Sequence, residues 1–195
     1  MTAQSNTTKV LSPKYLAHVV LKTGDLPTMS KFYQAFLGAR VNFEDENLCF
    51  LAYDEEHHRV ALIGIPNLPA VKAVPAAAGL DHIAFAYGSL ADLLTAYTQR
   101  KALGITPAWC TNHGPTTSMY YHDPDGNRIE TQVDNFETVE EANAFMAGPE
   151  FRENPIGVDF DPEEVLGMLG RGVPEGEIKM RGSVGPRGVG DIPIQ

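Results

Sequence analysis

The chain carries the same succession of hydrophobic patterns twice. A strand-like apolar run is followed by apolar residues at helical spacing and then by further short strand-like runs, first over residues 15–65 and again over residues 80–133. Self-similarity over segments of this length indicates an internal repeat of one supersecondary unit. We therefore predict two βαβββ modules, joined by a Pro- and Ala-rich linker over residues 66–78.

Residues typical of helix ends flank both predicted helices. Asp25 precedes the first helical pattern and can accept hydrogen bonds from its free N–H groups, while Gly38 follows it and tolerates the left-handed conformation that ends a helix. Ser89 and Gly104 hold the corresponding places around the second pattern. The matching ends support the same unit in both modules.

An Asp-Pro-Asp-Gly turn at residues 123–126 joins two strand-like runs near the end of the second module. Pro favours the second position of a type I turn, and the closing Gly accepts the positive φ of a three-residue hairpin connection. If Asp123 faces Asn127, the ladder places Tyr120 opposite Glu130 on one face of the sheet. A Glu in the middle of a strand is poorly suited to burial unless another group pairs with it.

Together these patterns predict an α+β fold in which the two βαβββ modules form one cupped mixed sheet. Residues 1–136 make a single domain in this interpretation. Residues 137–195 differ in character, because residues 138–146 and 162–169 have the pattern of short acidic helices and Gly and Pro dominate from residue 170. We expect this irregular and helical C-terminal extension to act as an oligomer or packing arm.

Composition and charge narrow the function classes. The 195 residues carry a net charge of −10 with 15 Lys and Arg, which argues against a nucleic-acid partner or an anionic membrane surface. No apolar run approaches the ~20 residues of a membrane span, and the polar residues 1–9 lack the apolar region of a signal peptide. Two cysteines far apart, Cys49 and Cys110, are expected to be buried thiols of a cytoplasmic protein.

The repeat allows equivalent positions of the two modules to be compared. His18 and His82 lie at equivalent places in the opening strands. Residues 128–130, Arg-Ile-Glu, align with residues 59–61, Arg-Val-Ala, so the second module has a carboxylate where the first has an alanine. A site built symmetrically from both modules would therefore have three ligands rather than four.

The paired modules, the His in each opening strand and the Tyr-x-x-Asp-Pro-x-Gly-x-x-x-Glu run at residues 120–130 resemble the vicinal oxygen chelate superfamily. Within it the chain is most similar to type I extradiol ring-cleavage dioxygenases of the small one-domain kind, related to dihydroxybiphenyl dioxygenases. The resemblance covers roughly residues 15–136. It implies a sheet cupped around a metal site, an Fe(2+) cofactor with Mn(2+) as the alternative, and ring cleavage of a catechol-type aromatic diol by O2.

The resemblance also implies roles for individual residues. The residues that match the family's metal ligands are His18, His82 and Glu130. His58, in the His57-His58 pair, matches the acid–base histidine. Tyr120 matches the tyrosine that hydrogen-bonds a substrate hydroxyl, and His113 matches a histidine near bound oxygen. Two imidazoles and one carboxylate leave coordination positions open for both a diol and dioxygen.

Two other functions stay open on the sequence. A glyoxalase-like lyase or isomerase of the same superfamily commonly uses a fourth protein ligand, and Ala61 occupies that place here. A ligand-sequestering protein of the bleomycin-resistance kind needs no metal, and Glu130 would then belong to a hydrogen-bonded polar cluster. We also expect a homo-oligomer, because one pair of modules leaves apolar sheet edges to cover. Trp109 and Phe50 are candidates for the walls of a ring pocket.

Overall fold

The computed structural model describes residues 10–73 and 78–193. The polar start at residues 1–9, part of the predicted linker at residues 74–77, and residues 194–195 lie outside the described residues. The first module contains β1 (Val19–Thr23), α1 (Leu26–Leu37), β2 (Arg40–Glu44), β3 (Leu48–Ala52) and β4 (Val60–Gly64). The second module contains β5 (His82–Tyr87), α2 (Leu90–Ala102), β6 (Trp109–Asn112), β7 (Thr116–His122) and β8 (Arg128–Asp134). The predicted βαβββ order is confirmed in both.

The predicted residues form the helix ends. The Asp25 side chain accepts a hydrogen bond from a backbone N–H in the first turn of α1, and Gly38 ends this helix with a φ of 63°. Ser89 accepts a bond from a backbone N–H in the first turn of α2 at 3.0 Å. Gly104, with a φ of 78°, follows the end of α2. Both helices therefore begin and end where local chemistry satisfies their free backbone groups.

The hairpin between β7 and β8 has the predicted register. The N–H of Asp123 donates to the carbonyl of Asn127 at 3.0 Å, and Gly126 has a φ of 91°. Tyr120 lies directly opposite Glu130 in the antiparallel ladder. The two side chains therefore share one face of the second sheet.

The strands form two hydrogen-bonded sheets, so the cupped sheet predicted as one is divided between the modules. The first sheet has the order β1-β4-β3-β2, and the second has the order β5-β8-β7-β6-β9, with β9 coming from the extension. Parallel pairs join β1 to β4 and β5 to β8, while the other pairs are antiparallel. The α+β class with mixed sheets is confirmed, and β1 and β5 are edge strands.

The registers confirm which positions of the modules are equivalent. Val19 of β1 pairs with Val60 of β4, and Ile83 of β5 pairs with Ile129 of β8. The two opening-strand histidines directly precede Val19 and Ile83. The residue after Val60 is an alanine, whereas the residue after Ile129 is Glu130.

The two modules share one hydrophobic core, which lies on the helix-covered faces of both sheets. Phe36 at the end of α1 packs edge-on against Tyr121 of β7, with ring centroids 5.0 Å apart. The Tyr33 hydroxyl donates to Asp123 at 3.1 Å. Arg100 of α2 donates its Nε–H to the Phe36 carbonyl at 2.8 Å. The modules are thus joined through their helices and the sheet faces beneath them.

The C-terminal extension packs on the second module of the same chain. Its elements are α3 (Val139–Ala147), α4 (Pro149–Glu153), β9 (Val158–Asp159), α5 (Pro162–Gly170) and α6 (Glu175–Ile178). β9 adds to the edge of β6, and the Glu175 carboxylate accepts bonds from the N–H groups of Leu90 and Ala91 at the start of α2. Among the described residues, no helix has the length and apolar character needed to cross a membrane.

Candidate functional site

The six residues assigned from sequence lie in two separate groups, one in each module. The second-module cluster consists of His82, His113, Tyr120 and Glu130. The first-module cluster consists of His18, Phe50, His57 and His58.

The centre of the second-module cluster is a contact between His82 and Glu130. Nε2 of His82 lies 2.9 Å from Oε2 of Glu130. The Glu130 side chain comes from the middle of β8 and is only 5% exposed, whereas His82 is partly exposed at the start of β5. Because β5 and β8 are paired in parallel, the sheet itself holds these two groups together. Two potential metal donors therefore point at one place.

Asp81 fixes the orientation of the His82 ring. Nδ1 of His82 lies 2.6 Å from Asp81 Oδ2, and Arg128 donates to the other oxygen of Asp81 at 2.9 Å. Since a carboxylate only accepts, His82 keeps its Nδ1 proton toward Asp81. The hydrogen bond with Glu130, aided by Asp81, raises the pKa of His82 above its ordinary value despite partial burial. A divalent cation would displace the Nε2 proton and leave the Nδ1 bond in place.

Glu130 is ionised in spite of its burial. Burial alone would raise the pKa of this carboxyl, but hydrogen bonds with His82 and Ser118 and the nearby imidazoles outweigh it and lower the pKa. The imidazoles that act on Glu130 are those of His82 and His113, which both belong to the second module. A buried carboxylate therefore lies beside an imidazole with a fixed tautomer, which is a suitable pair of donors for a divalent metal ion.

A second hydrogen-bonded pair, His113 and Tyr120, lies beside these donors. Nδ1 of His113 is 2.5 Å from the carbonyl oxygen of Ile156, so Nδ1 carries the proton. Burial lowers the pKa of His113, which keeps its ring neutral and leaves Nε2 as an acceptor. The Tyr120 hydroxyl, 2.8 Å from Nε2, must then be the donor. Burial, reinforced by Glu130, raises the pKa of Tyr120, so it remains a neutral phenol.

Trp109 and the C-terminal extension form a wall of this cluster. The Trp109 ring stacks on Tyr120 with centroids 4.8 Å apart, as expected for directly paired residues of β6 and β7. Its indole N–H donates to Asp159 of β9 at 2.8 Å. Ile156 and Ile192 of the extension pack against the two rings. The predicted wall residue Trp109 is therefore held in place by the extension.

The first-module cluster brings His18 and His58 together. Their ring centroids are 4.3 Å apart, and His58 stacks on Phe50 at 4.9 Å. Nδ1 of His58 also lies 2.6 Å from Nδ1 of His57. Burial, with the neighbouring imidazoles, lowers the pKa of His58. His18 itself is exposed, directly before β1.

The three predicted metal ligands do not come together within one copy of the chain. His82 and Glu130 are in contact, but across residues 10–73 and 78–193 no three His, Cys, Asp or Glu side chains lie close enough to hold one ion. The third predicted ligand, His18, belongs to the other cluster. A single chain thus brings together two of the three predicted metal ligands.

Several residues that support the second-module cluster were not predicted from sequence. Asp81 orients His82, Ile156 sets the tautomer of His113, and Asp159 holds Trp109. Asp81 could have been found, because it is adjacent in sequence to a predicted ligand. Ile156 and Asp159 carry no such signal, since their contacts depend on how the extension folds back on β6.

Comparison with known proteins identifies the family. The sequence profile of the Glyoxalase/Bleomycin resistance protein/Dioxygenase superfamily matches residues 15–131, which is more than half of the chain. The chain therefore belongs to this superfamily. The matched region spans both modules and both predicted donors of the second-module cluster.

Two similar proteins come from Rhodococcus globerulus. Biphenyl-2,3-diol 1,2-dioxygenase 2 is 48% identical over 163 residues, covering 84% of this chain and 85% of that protein. Biphenyl-2,3-diol 1,2-dioxygenase 3 is 46% identical over 166 residues, covering 85% of this chain and 87% of that protein. Because each match covers most of both proteins, the similarity includes much of the C-terminal extension.

Solved structures share the fold. A glyoxylase/bleomycin resistance protein/dioxygenase domain from Frankia sp. EAN1pec superposes with a TM-score of 0.53 at 17% sequence identity, covering 63% of this chain and 99% of that chain. Nearly all of that structure is therefore matched by about two thirds of this chain. The remaining third lies outside the shared fold.

Proposed function

We propose that this chain is a metal-dependent extradiol dioxygenase that cleaves the ring of a catechol-type diol with O2. The observation that carries the proposal is the contact between His82 and Glu130, two donors held on one sheet face beside the Tyr120 hydroxyl. The similarity to biphenyl-2,3-diol dioxygenases over most of the chain supports it. Fe(2+) is the proposed metal, with Mn(2+) as the alternative that the same nitrogen and oxygen donors accept.

The proposed ligands are His82, Glu130 and a third imidazole, His18. The bound metal would lower the pKa of a coordinated diol hydroxyl and provide the place where diol and O2 meet. Asp81 keeps its bond to Nδ1 of His82, which directs Nε2 at the ion. The burial of Glu130 excludes water from its carboxylate and strengthens its attraction for the cation.

Tyr120 is the proposed substrate-orienting group. Because its proton is directed at His113, the phenol oxygen presents lone pairs to the substrate and accepts a hydrogen bond from a diol hydroxyl. In its neutral Nδ1–H form, His113 therefore acts on the substrate through Tyr120. A direct hydrogen bond from His113 to oxygen, as the resemblance implies, requires protonation at Nε2.

His58 is the proposed acid–base group. Its lowered pKa keeps the imidazole neutral near pH 7, so it can take up a proton from the diol and return one later. Phe50, stacked on the His58 ring, gives this group an aromatic neighbour. Trp109 contributes a second aromatic surface beside Tyr120, and the two rings suit a substrate with an aryl substituent such as biphenyl-2,3-diol.

Oxygen uptake tests this proposal. The purified chain is loaded anaerobically with Fe(2+), and oxygen consumption is followed with biphenyl-2,3-diol and with unsubstituted catechol. We expect one O2 consumed per diol, loss of uptake in His82→Ala, and faster turnover of the biphenyl compound. Loading with Fe(2+) without uptake for either diol would contradict the proposal.

The same samples separate the alternatives. Binding of Zn, Co or Ni in preference to iron, with no oxygen uptake, would favour a glyoxalase-like lyase or isomerase. If no metal binds and diol affinity is unchanged by alanine at Glu130, the chain is a ligand-sequestering protein.

A further inference from the structure

Residues 187–192 of the C-terminal extension lie at the Trp109 end of the second-module cluster, and we call them the 187–192 segment. The side chain of Ile192 packs against the apolar group formed by Trp109, Tyr120 and Ile156. Trp109 is only 7% exposed, whereas Ile192 is partly exposed. Ile192 therefore presents the more accessible apolar surface at this end of the cluster.

The strand order determines what a substrate bound at the proposed metal donors would meet next. Glu130 of β8 pairs with Tyr120 of β7, and Tyr120 pairs with Trp109 of β6. Adjacent strands lie about 4.8 Å apart, so Trp109 lies roughly 10 Å from Glu130 across the sheet. A diol held beside Glu130, with its ring substituent directed along this row, brings that substituent to Trp109 and Ile192.

Asp159 connects the 187–192 segment to Trp109. Its Oδ1 accepts from the indole N–H of Trp109 at 2.8 Å and from the guanidinium of Arg187 at 2.9 Å. Arg187 also donates to the carbonyl of Asp191 at 3.1 Å. The carboxylate that fixes the Trp109 ring therefore also fixes the segment that carries Ile192.

A tight turn determines where Ile192 lies. The Asp191 carboxylate accepts from the N–H of Gly188 at 2.7 Å, and the N–H of Asp191 donates to the Gly188 carbonyl at 2.9 Å. These bonds close a single turn of 3-10 helix, Val189–Asp191, directly before Ile192. Val189 of this turn is 76% exposed, whereas Ile192 packs inward. The turn thus separates an outward side chain from one that contacts the cluster.

We propose that Ile192 determines substrate specificity by contacting an apolar substituent on the ring of the diol. The inference rests on the proposed function, because it concerns the substrate of that same site. Asp159 and Arg187, the charged groups that hold the segment, are paired with each other 2.9 Å apart. An aryl substituent can therefore cover the apolar surface of Ile192 and Trp109 without displacing an ion pair.

Ile192→Ala tests this contact through a comparison of two diols in oxygen uptake by the Fe(2+)-loaded chain. We expect kcat/KM for biphenyl-2,3-diol to fall about 10-fold, while kcat/KM for catechol, which lacks the substituent, stays within about twofold. Val189→Ala is the matched control, since it shortens an exposed apolar side chain of the same turn, and both values should stay within about twofold.

The fluorescence of Trp109 gives a measurement that does not depend on turnover. The chain contains a single tryptophan, so its emission reports on Trp109 alone. Biphenyl-2,3-diol is titrated into the Fe(2+)-loaded protein without oxygen, and the emission is corrected for absorption by the diol. We expect quenching with a Kd about 10-fold higher in Ile192→Ala than in the wild type. Ile192→Leu, which keeps the side-chain volume, should restore most of the affinity.

Arg187→Gln tests whether the segment must be held in place. Loss of the bonds to Asp159 and Asp191 should release Ile192 and weaken the binding of biphenyl-2,3-diol in the same direction as Ile192→Ala. Arg152→Gln removes the same charge at an exposed position of α4, and it should leave the Kd within about twofold. Circular dichroism checks that all variants fold.

The outcomes separate this inference from the proposed function. Oxygen uptake by the wild type, with equal changes for both diols in Ile192→Ala, would overturn the role of Ile192 and leave the proposed function intact. Binding of biphenyl-2,3-diol that weakens in Ile192→Ala, without oxygen uptake by the iron-loaded wild type, would overturn the proposed function and keep the contact. A wild-type chain that binds neither diol would overturn both.

Discussion

The direction of one hydrogen bond determines what Tyr120 can offer a substrate. The carbonyl of Ile156 can only accept, so it places the His113 proton on Nδ1. Nε2 must then accept from Tyr120, and the phenol oxygen keeps lone pairs that could accept from the proposed substrate. The chemistry of this pair is thus set by a backbone group 43 residues away in sequence.

Removal of the Tyr120 hydroxyl tests this assignment. Tyr120→Phe keeps the ring stacked on Trp109 but loses one hydrogen bond to the substrate. We expect kcat/KM for the diol to fall about 10- to 100-fold, equivalent to ~1.4–2.7 kcal/mol, with unchanged iron content. Tyr121→Phe is the matched control, because Tyr121 is the adjacent residue on the opposite face, and its kcat/KM should stay within about twofold. Equal losses in both variants would contradict the role of Tyr120.

The partly buried His113 should make the free energy of unfolding depend on pH. Its pKa is lowered by burial, so below pH ~6.5 the unfolded chain takes up a proton that the folded chain does not. The contribution of His113 to the free energy of unfolding should therefore fall as the pH is lowered from 7.5 to 5.5, by up to ~1.4 kcal/mol per unit.

Urea unfolding of metal-free protein at several pH values measures this effect. His113→Gln should flatten the dependence below pH 6.5. His122→Gln, at an exposed position of β7, should leave the slope as in the wild type. A slope unchanged in His113→Gln would contradict the assignment of a neutral ring at His113.

At the scale of elements, the β7–β8 hairpin positions Glu130 and Tyr120 against each other, and its turn depends on Gly126. This residue has a φ of 91°, and a Cβ there would lie 2.7 Å from Cβ of Lys72 in the linker. The linker is fixed to the same turn, since the N–H of Lys72 donates to the carbonyl of Asp125. Strain at Gly126 would therefore disturb both the hairpin turn and the linker that is hydrogen-bonded to it.

Gly126→Ala is expected to destabilise the fold by ~2 kcal/mol, because it combines an unfavourable φ with a close contact. Gly38→Ala is the matched comparison: its φ is 63°, but a Cβ there meets nothing within 4 Å, and the expected cost is ~1 kcal/mol. Denaturant midpoints of the two variants measure the difference. If Gly126→Ala lowered the free energy of unfolding less than Gly38→Ala does, the turn would tolerate the close contact with Lys72.

Local chemistry made the modules and the hairpin predictable. Helix caps, the Asp-Pro-x-Gly turn and the repeat fixed the element order and the pairing of Tyr120 with Glu130. The division into two sheets was not predicted, because strand patterns do not tell which edges pair. The two-residue strand β9 was also missed, since so short a segment has no periodicity to detect.

The spatial neighbours of His18 could not be predicted from the repeat, for a different reason. The repeat correctly gave its equivalence to His82, as the registers confirm. Equivalence within a repeat does not say whether two modules of one chain face each other or face modules of a second chain. That depends on which surfaces of the modules pack, here through Phe36, Tyr121 and Arg100.

At the scale of the whole molecule, the extension supports the second-module cluster. The extension supplies Ile156 and Asp159 to the second-module cluster and caps α2 through Glu175. The remaining predicted residues, His18 and His58, lie in the first-module cluster. The proposed three-ligand centre would need His18 beside His82 and Glu130, which the described residues of a single chain do not bring together.

The most direct test is an anomalous-difference map at the iron edge, from crystals grown with Fe(2+) under anaerobic conditions. We predict a peak within bonding distance of Nε2 of His82 and the Glu130 carboxylate, with the imidazole of a His18 as the third protein ligand. A peak away from these two donors, or no peak in crystals whose iron content is established by elemental analysis, would contradict it.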